Sequence, residues 1–182
     1  MKKLLAILLA LTMVLTLGAC GSGSKKDKDD KKKDSYKTAL ENALEFKFNF
    51  DTSKTEELAP EAIWNYYSDT IGEEDIIGYI NEEYESRKQS LEEYDEDYEY
   101  TVEAYEELEA EEVAELAEDV EYYYDGYISA SDIDDKGYYA EVIVEYLCEG
   151  EVEDEEVYDI ILIKIDGKWY AVCENGEFFI AY

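Results

Sequence analysis

Among the side chains that could do chemistry, the thiol of Cys20 has the most informative sequence context. Two lysines and an apolar run from Leu4 to Leu17 open the chain, and Gly18 and Ala19 then lead into Cys20. A charged start, a short apolar core and small residues before a cleavage point are typical of a secretory signal. The apolar run is too short to cross a bilayer comfortably. We therefore predict a signal peptide at residues 1–19, with a reactive thiol directly after it.

This junction resembles the lipobox of bacterial lipoproteins. The resemblance implies that the Cys20 thiol receives diacylglycerol and that residues 1–19 are removed. Two acyl chains anchor a protein stably, whereas one gives only reversible binding. The chain is then expected to be held at the cell membrane and to face the extracellular side. The alternative is an ordinary secretory signal with a chance cysteine.

Residues 20–34 are predicted to form the lipidated cysteine and a charged tether. Residues 21–34 read GSGSKKDKDDKKKD and include no large apolar side chain. Such a segment cannot offset the entropy lost on ordering, so we expect a flexible linker. Its six lysines against four aspartates would attract it weakly to an anionic membrane surface. A plain solvated spacer is the other interpretation.

Residues 35–182 are predicted to form a single domain with a strongly acidic surface. They hold eight of the 16 basic residues of the chain and 45 of the 49 acidic ones. Nucleic acid is excluded as a partner, because its binding depends on cations that neutralise phosphates. All 19 tyrosines lie in this range. Because aromatic side chains bury large areas, we expect a folded domain rather than a disordered acidic one.

The sequence contains no set of residues typical of a catalytic or cofactor site. Histidine is absent, which excludes Ser-His-Asp and Cys-His catalysis and histidine-bearing zinc sites. Asp132–Gly137 opens like a calcium loop, but Ile143 stands where the bidentate acid belongs. A β-turn is the better interpretation of Asp132–Gly137. We therefore predict no catalytic residue, no metal and no cofactor.

Cys148 and Cys173 are predicted to remain unpaired. Asp166-Gly167 is typical of a two-residue hairpin turn, and that turn would place Ile160 opposite Cys173. Cys148 would then lie on the far side of the central strand. Strands two apart are about 9.5 Å from each other, whereas a disulfide needs Cα atoms within about 7 Å.

The spacing of apolar residues predicts helices first and strands last. Helices are expected from Tyr36, after Pro60 as far as Gly72, from Ile77 to Leu91, and over 109–122. Alternation predicts strands at 98–104, Tyr122–Ile133, Tyr138–Cys148, Val157–Ile165, Lys168–Cys173 and Glu177–Ala181. Turns are expected at Asp134–Gly137 and at Asn175-Gly176, and an acidic loop at 149–156. This order is typical of an α+β fold.

The order of elements, with the ending Asp166-Gly167-Lys168-Trp169-Tyr170, resembles the nuclear transport factor two-like (cystatin-like) domains. Small lipoproteins of Gram-positive bacteria often carry such domains. The resemblance implies N-terminal helices packed on a curved antiparallel sheet, forming a cone with a pocket at its open end. Enzymes of this fold, such as ketosteroid isomerase, use tyrosine and aspartate inside the cone.

Several aromatic side chains are candidates to line such a pocket: Tyr79, Tyr98, Tyr100, Tyr146 and Trp169. We expect a binding or interaction module that takes an unknown small ligand or an envelope protein, and not an enzyme. One alternative is an enzyme that pairs one of these tyrosines with Asp159. Another is a structural envelope protein whose cone is filled by its own side chains.

Overall fold

The computed structural model describes residues 35–180, which form four helices and four strands. The helices are α1 (Tyr36–Asn49), α2 (Glu61–Ile71), α3 (Ile76–Tyr94) and α4 (Ala110–Tyr123). The strands are β1 (Glu96–Glu107), β2 (Ile133–Cys148), β3 (Glu151–Ile165) and β4 (Lys168–Cys173). The prediction of an α+β fold is thereby confirmed. The predictions for Cys20, for residues 1–19 and for the tether lie outside the described residues.

The strands form one open antiparallel sheet in the order β1-β2-β3-β4. One face, which we call the inner face, is covered by α1, α3 and their neighbours. Phe48 of α1, for example, packs 5.8 Å from the ring of Tyr98 on β1. α4 packs on the opposite, outer face, and four of its apolar residues are buried: Val113, Leu116, Ala117 and Val120. The sheet therefore lies between two helical layers over part of its area.

The hairpin between β3 and β4 has the predicted register. Asp166 and Gly167 both have positive φ, 50° and 82°, as the commonest two-residue turn requires. Ile160 consequently pairs with Cys173. Cys148 pairs with Glu96 and Glu151 on the far side of the sheet. The structure accordingly describes Cys148 and Cys173 as free, half-buried thiols.

The predicted strand over Tyr122–Ile133 and the predicted turn over Asp134–Gly137 are both wrong. α4 continues to Tyr123, turns follow, and Asp134–Gly137 is already the beginning of β2. The pairing of β2 with β3 is irregular there. A Cβ at Gly137 would lie 3.1 Å from both Leu108 and Val113. Glycine at this point allows neighbouring side chains to approach the backbone closely and does not form a turn.

β1 contains an extra residue that changes which side chains face inward. The pairing with β2 shifts between Val102 and Ala104, so Glu103 forms a bulge. Ala104, predicted to face inward, is exposed and pairs with Glu141 on the outer face. Tyr105 takes the inward position and packs edge-on against Tyr36, with ring centres 5.7 Å apart.

Two predicted boundaries near the end of the chain are also corrected. The acidic run 149–156 is not a loop: Glu149 and Gly150 alone form the turn, and β3 begins at Glu151. The acids can lie in a strand because β2 satisfies their backbone groups while their side chains remain in water. The segment Glu177–Ala181 is not a full strand, because within residues 35–180 it forms a single bridge, between Val172 and Phe178.

The open part of the outer face carries a row of carboxylates. Glu99, Glu145 and Glu155 lie directly opposite one another on three adjacent strands. Like charges in opposite positions are destabilising. The next row on this face is Thr101, Ile143 and Val157, in which Val157 is 56% exposed.

Candidate binding cleft

A cleft opens between the inner face of the sheet and the ends of α1 and α3. It consists of two adjoining hollows of about 270 and 400 Å³. They share four lining side chains: Leu91, Tyr98, Glu156 and Tyr158. Volumes of this order suit small molecules. We call the two hollows together the aromatic cleft.

Aromatic rings from α1 and from the sheet form the walls of the aromatic cleft. The ring of Phe48 lies 5.3 Å from that of Tyr158 and 5.8 Å from that of Tyr98. Phe50 follows at the left-handed end of α1, with φ 55°, and its ring lies 6.4 Å from that of Tyr98. The end of α1 therefore presents two rings to the sheet and fixes one side of the site.

Cations line one side of the aromatic cleft and carboxylates the other. Arg87 of α3 holds its guanidinium carbon 5.8 Å from the centre of the Tyr84 ring. Burial lowers the pKa of Lys47, and the neighbouring Arg87 lowers it further. Glu156 and Glu96 lie toward the sheet side. A ligand here would therefore meet positive charge from α1 and α3 and negative charge along the strands.

Tyrosine hydroxyls of the aromatic cleft donate hydrogen bonds to carboxylates that line it. Tyr158 donates to Oε2 of Glu156 at 2.5 Å, and burial together with this carboxylate raises the pKa of Tyr158. A hydrogen bond with Glu96 raises the pKa of Tyr146 to about 12. Both hydroxyls remain protonated at neutral pH and act as donors rather than as bases.

The structure brings only some of the predicted pocket residues together. Tyr98 and Tyr146 line the aromatic cleft. Tyr100 lies beside it on the inner face and donates to Oε1 of Glu45 at 2.6 Å. Tyr79 lies on α3 away from the cleft, and Trp169 lines a different groove.

Asp159, considered as a catalytic partner, lies on the opposite side of the sheet. Its carboxylate accepts a hydrogen bond from Tyr139, and both residues are on the outer face. No tyrosine of the inner face is therefore paired with Asp159.

Sequence reasoning missed the residues that complete the aromatic cleft, namely Phe48, Phe50, Arg87 and Tyr158. The signal in the sequence is the alternation of Phe46, Phe48 and Phe50, which leaves the end of the first helix ambiguous. Phe46 in fact stacks on Tyr84 with ring centres 4.1 Å apart. The two phenylalanines after it are left to face the sheet.

A second and larger groove of about 960 Å³ runs along β4, on the edge that faces away from β3. Its other walls are the first turns of α1, α2 and α3 and the 3-10 turn Thr52–Glu57. Trp169 lines it and packs 5.9 Å from Tyr36 and 5.5 Å from Tyr138. Trp64 also lines it, and the buried Nε1–H of Trp64 has no acceptor among residues 35–180. We call this the edge groove.

Comparison with known proteins assigns neither site. No family model matches the chain, and no curated protein or solved structure matches it. Within residues 35–180, no group of three or more acidic, cysteine or histidine side chains could hold a metal ion. No helix in that range is long and apolar enough to cross a membrane.

Proposed function

We propose that this chain is a lipid-anchored, extracytoplasmic binding module that takes a small ligand in the aromatic cleft. The observation that carries the proposal is an open, aromatic-lined cleft with no buried carboxylate among its described lining residues. The rings supply apolar contact area and the hydroxyls supply direction. Arg87 favours a ligand with a negative group beside its aromatic or apolar body.

We also propose the cone-like arrangement of helices and sheet that the nuclear transport factor two-like resemblance implies. Helices cover one face of an open antiparallel sheet, and the aromatic cleft lies between the two layers. In such a cone the cleft would be the pocket at the open end.

Membrane attachment depends on the thiol of Cys20. Replacing Cys20 with alanine is expected to abolish metabolic labelling by a fatty acid, because no acceptor sulfur would remain at the cleavage junction. Cys148→Ala is the matched control, since Cys148 lies at the end of β2 and its loss should leave labelling unchanged. Labelling that survives in Cys20→Ala would contradict the anchor.

Ligand binding in the aromatic cleft can be measured with an anionic aromatic dye, 8-anilinonaphthalene-1-sulfonate. Arg87→Gln and Tyr98→Ala should each weaken dye binding about fivefold, since an exposed ion pair or a ring contact contributes about 1 kcal/mol. Lys88→Gln and Tyr94→Ala change neighbours that do not line the cleft and should leave the affinity within about twofold. Equal losses in all four variants would contradict a specific site.

A tyrosine-carboxylate enzyme acting in the same cleft is the second candidate. The hydrogen bond from Tyr158 to Glu156 favours it, because it brings a phenol and a carboxylate together in the cleft, as an acid–base pair requires. Glu156 is exposed, however, and no carboxylate among the described lining residues of the cleft is buried. The binding function therefore has the stronger support.

A further inference from the structure

We propose that the edge groove binds an extended, lysine-rich peptide, which adds to β4 as a fifth strand of the sheet. This site is separate from the aromatic cleft and does not depend on the function proposed for it. The bound segment would pair its backbone with β4 and place its lysines against the acidic rim of the groove.

The edge of β4 that faces away from β3 has the geometry that strand addition requires. The residues that flank a two-residue hairpin turn, here Ile165 and Lys168, form a hydrogen-bonded pair. The N–H and C=O groups of Lys168 and of every second residue after it therefore point toward β3. Those of Trp169, Ala171 and Cys173 point away from β3 and toward this edge.

The end of the chain already uses half of this edge in the way proposed for a partner. Cys173 donates its N–H to the carbonyl of Glu177 at 2.7 Å, and Phe179 donates to the carbonyl of Ala171 at 3.0 Å. Three further groups on the same line have no hydrogen-bond partner among residues 35–180: the N–H of Ala171 and the N–H and C=O of Trp169. An added strand would continue this line of pairing toward the hairpin turn.

The edge groove lies where an incoming strand must run. Four consecutive residues of β4, Lys168 to Ala171, line it. Consecutive residues of a strand point to opposite faces, so a cavity that touches all four must follow the edge rather than one face. Its length beside β4 is enough for a segment of a few extended residues.

The charge of the edge groove favours a basic segment. Five carboxylates line it: Glu56, Glu57, Glu61, Glu74 and Asp75. Two lysines oppose them, and Lys54 already donates to the side-chain oxygen of Asn42 at 2.7 Å. Complementary charge raises the association rate and selects among peptides that share the same backbone.

Intrinsic fluorescence of the full-length protein can test this proposal directly. The chain has two tryptophans, and both line the edge groove. The probe is the capped peptide (Lys-Val)4, which is expected to shift the tryptophan emission in a saturable way. Its analogue (Glu-Val)4 should bind at least tenfold more weakly, because the five carboxylates of the groove would repel its glutamates.

Backbone pairing is tested by a form of (Lys-Val)4 that is N-methylated at every second residue. One peptide is methylated at its odd-numbered residues and the other at its even-numbered residues. Each retains the side chains and the charge but loses the N–H groups along one edge of the extended chain. Strand addition predicts that one of the two binds at least tenfold more weakly than the unmodified peptide. Equal affinity for all three peptides would mean attraction by charge alone and would overturn the proposal.

The position of the site is tested by charge reversal on two helical regions. The double variant Glu56→Lys/Glu57→Lys should weaken binding of (Lys-Val)4 about tenfold. Glu115→Lys/Glu118→Lys changes net charge equally on the exposed side of α4 and should change affinity less than about threefold. Equal weakening by both variants, or the absence of any emission shift in the unaltered protein, would overturn the proposal.

Discussion

Tyr124→Phe is expected to lower the free energy of unfolding by about 1–3 kcal/mol, because it leaves buried polar groups without partners. The hydroxyl of Tyr124 accepts a hydrogen bond from the backbone N–H of Phe178 at 3.0 Å. It also lies 3.0 Å from the hydroxyl of Tyr67. Tyr124 and Phe178 are fully buried, so water cannot replace the lost oxygen.

Urea unfolding followed by circular dichroism measures this effect. Tyr122→Phe is the matched control, since Tyr122 is 87% exposed on the last turn of α4 and should change stability by less than about 0.5 kcal/mol. The double variant Tyr67→Phe/Tyr124→Phe should be less destabilised than the sum of the two single variants. A Tyr124→Phe protein as stable as the control would show that this hydroxyl contributes nothing to the fold.

Gly176→Ala is expected to destabilise the protein by about 3 kcal/mol, the combined cost of a left-handed backbone and of overpacking. Gly176 has φ 81°, and a Cβ there would lie 2.8 Å from the backbone nitrogen of Val120 and 2.9 Å from the carbonyl carbon of Asp119. Both atoms belong to the backbone of α4, which cannot move aside as a flexible side chain could. The final turn of the chain would therefore be displaced from α4.

Gly126→Ala separates the two causes of this loss. Gly126 has φ 84° with no atom within 4 Å of a built Cβ, so its replacement should cost about 1–2 kcal/mol from the backbone alone. Thermal unfolding of both variants gives the difference, which we attribute to the close approach to α4. Equal losses in the two variants would contradict that close approach.

Turns whose residues require positive φ were predictable from the sequence. Asp166-Gly167 specified both the hairpin and the register that pairs Ile160 with Cys173. Gly72 ended α2 as expected, with φ 83°. Such signals are local, because the backbone conformation of two residues determines how the adjoining segments meet.

Features that depend on a distant partner were not predictable from the sequence. The acids at 151–156 lie in a strand because β2 pairs with them, and nothing within the run itself indicates that pairing. Gly137 looks like a turn residue, yet its role is to let Leu108 and Val113 approach. The bulge at Glu103 moved Tyr105 inward and Ala104 outward, a change that strict alternation cannot express.

The sequence indicated that aromatic residues would line a candidate site, but it did not indicate which of them lie together. The alternation of Tyr98 and Tyr100 placed both rings on one face of β1, and Tyr146 faced the same way on β2. The aromatic cleft also needs side chains from α1, α3 and β3, which are far apart in sequence. Trp169 and Trp64 share the edge groove for the same reason, since only the fold brings α2 and β4 to the same groove.

The carboxylate row Glu99, Glu145 and Glu155 has a consequence for how copies of this domain behave when crowded. At neutral pH the row makes the outer face of one copy repel that of another, so two sheets do not stack through it. Without these three charges, the neighbouring strip that contains the exposed Val157 would favour association of two copies, so the row acts as a barrier to aggregation.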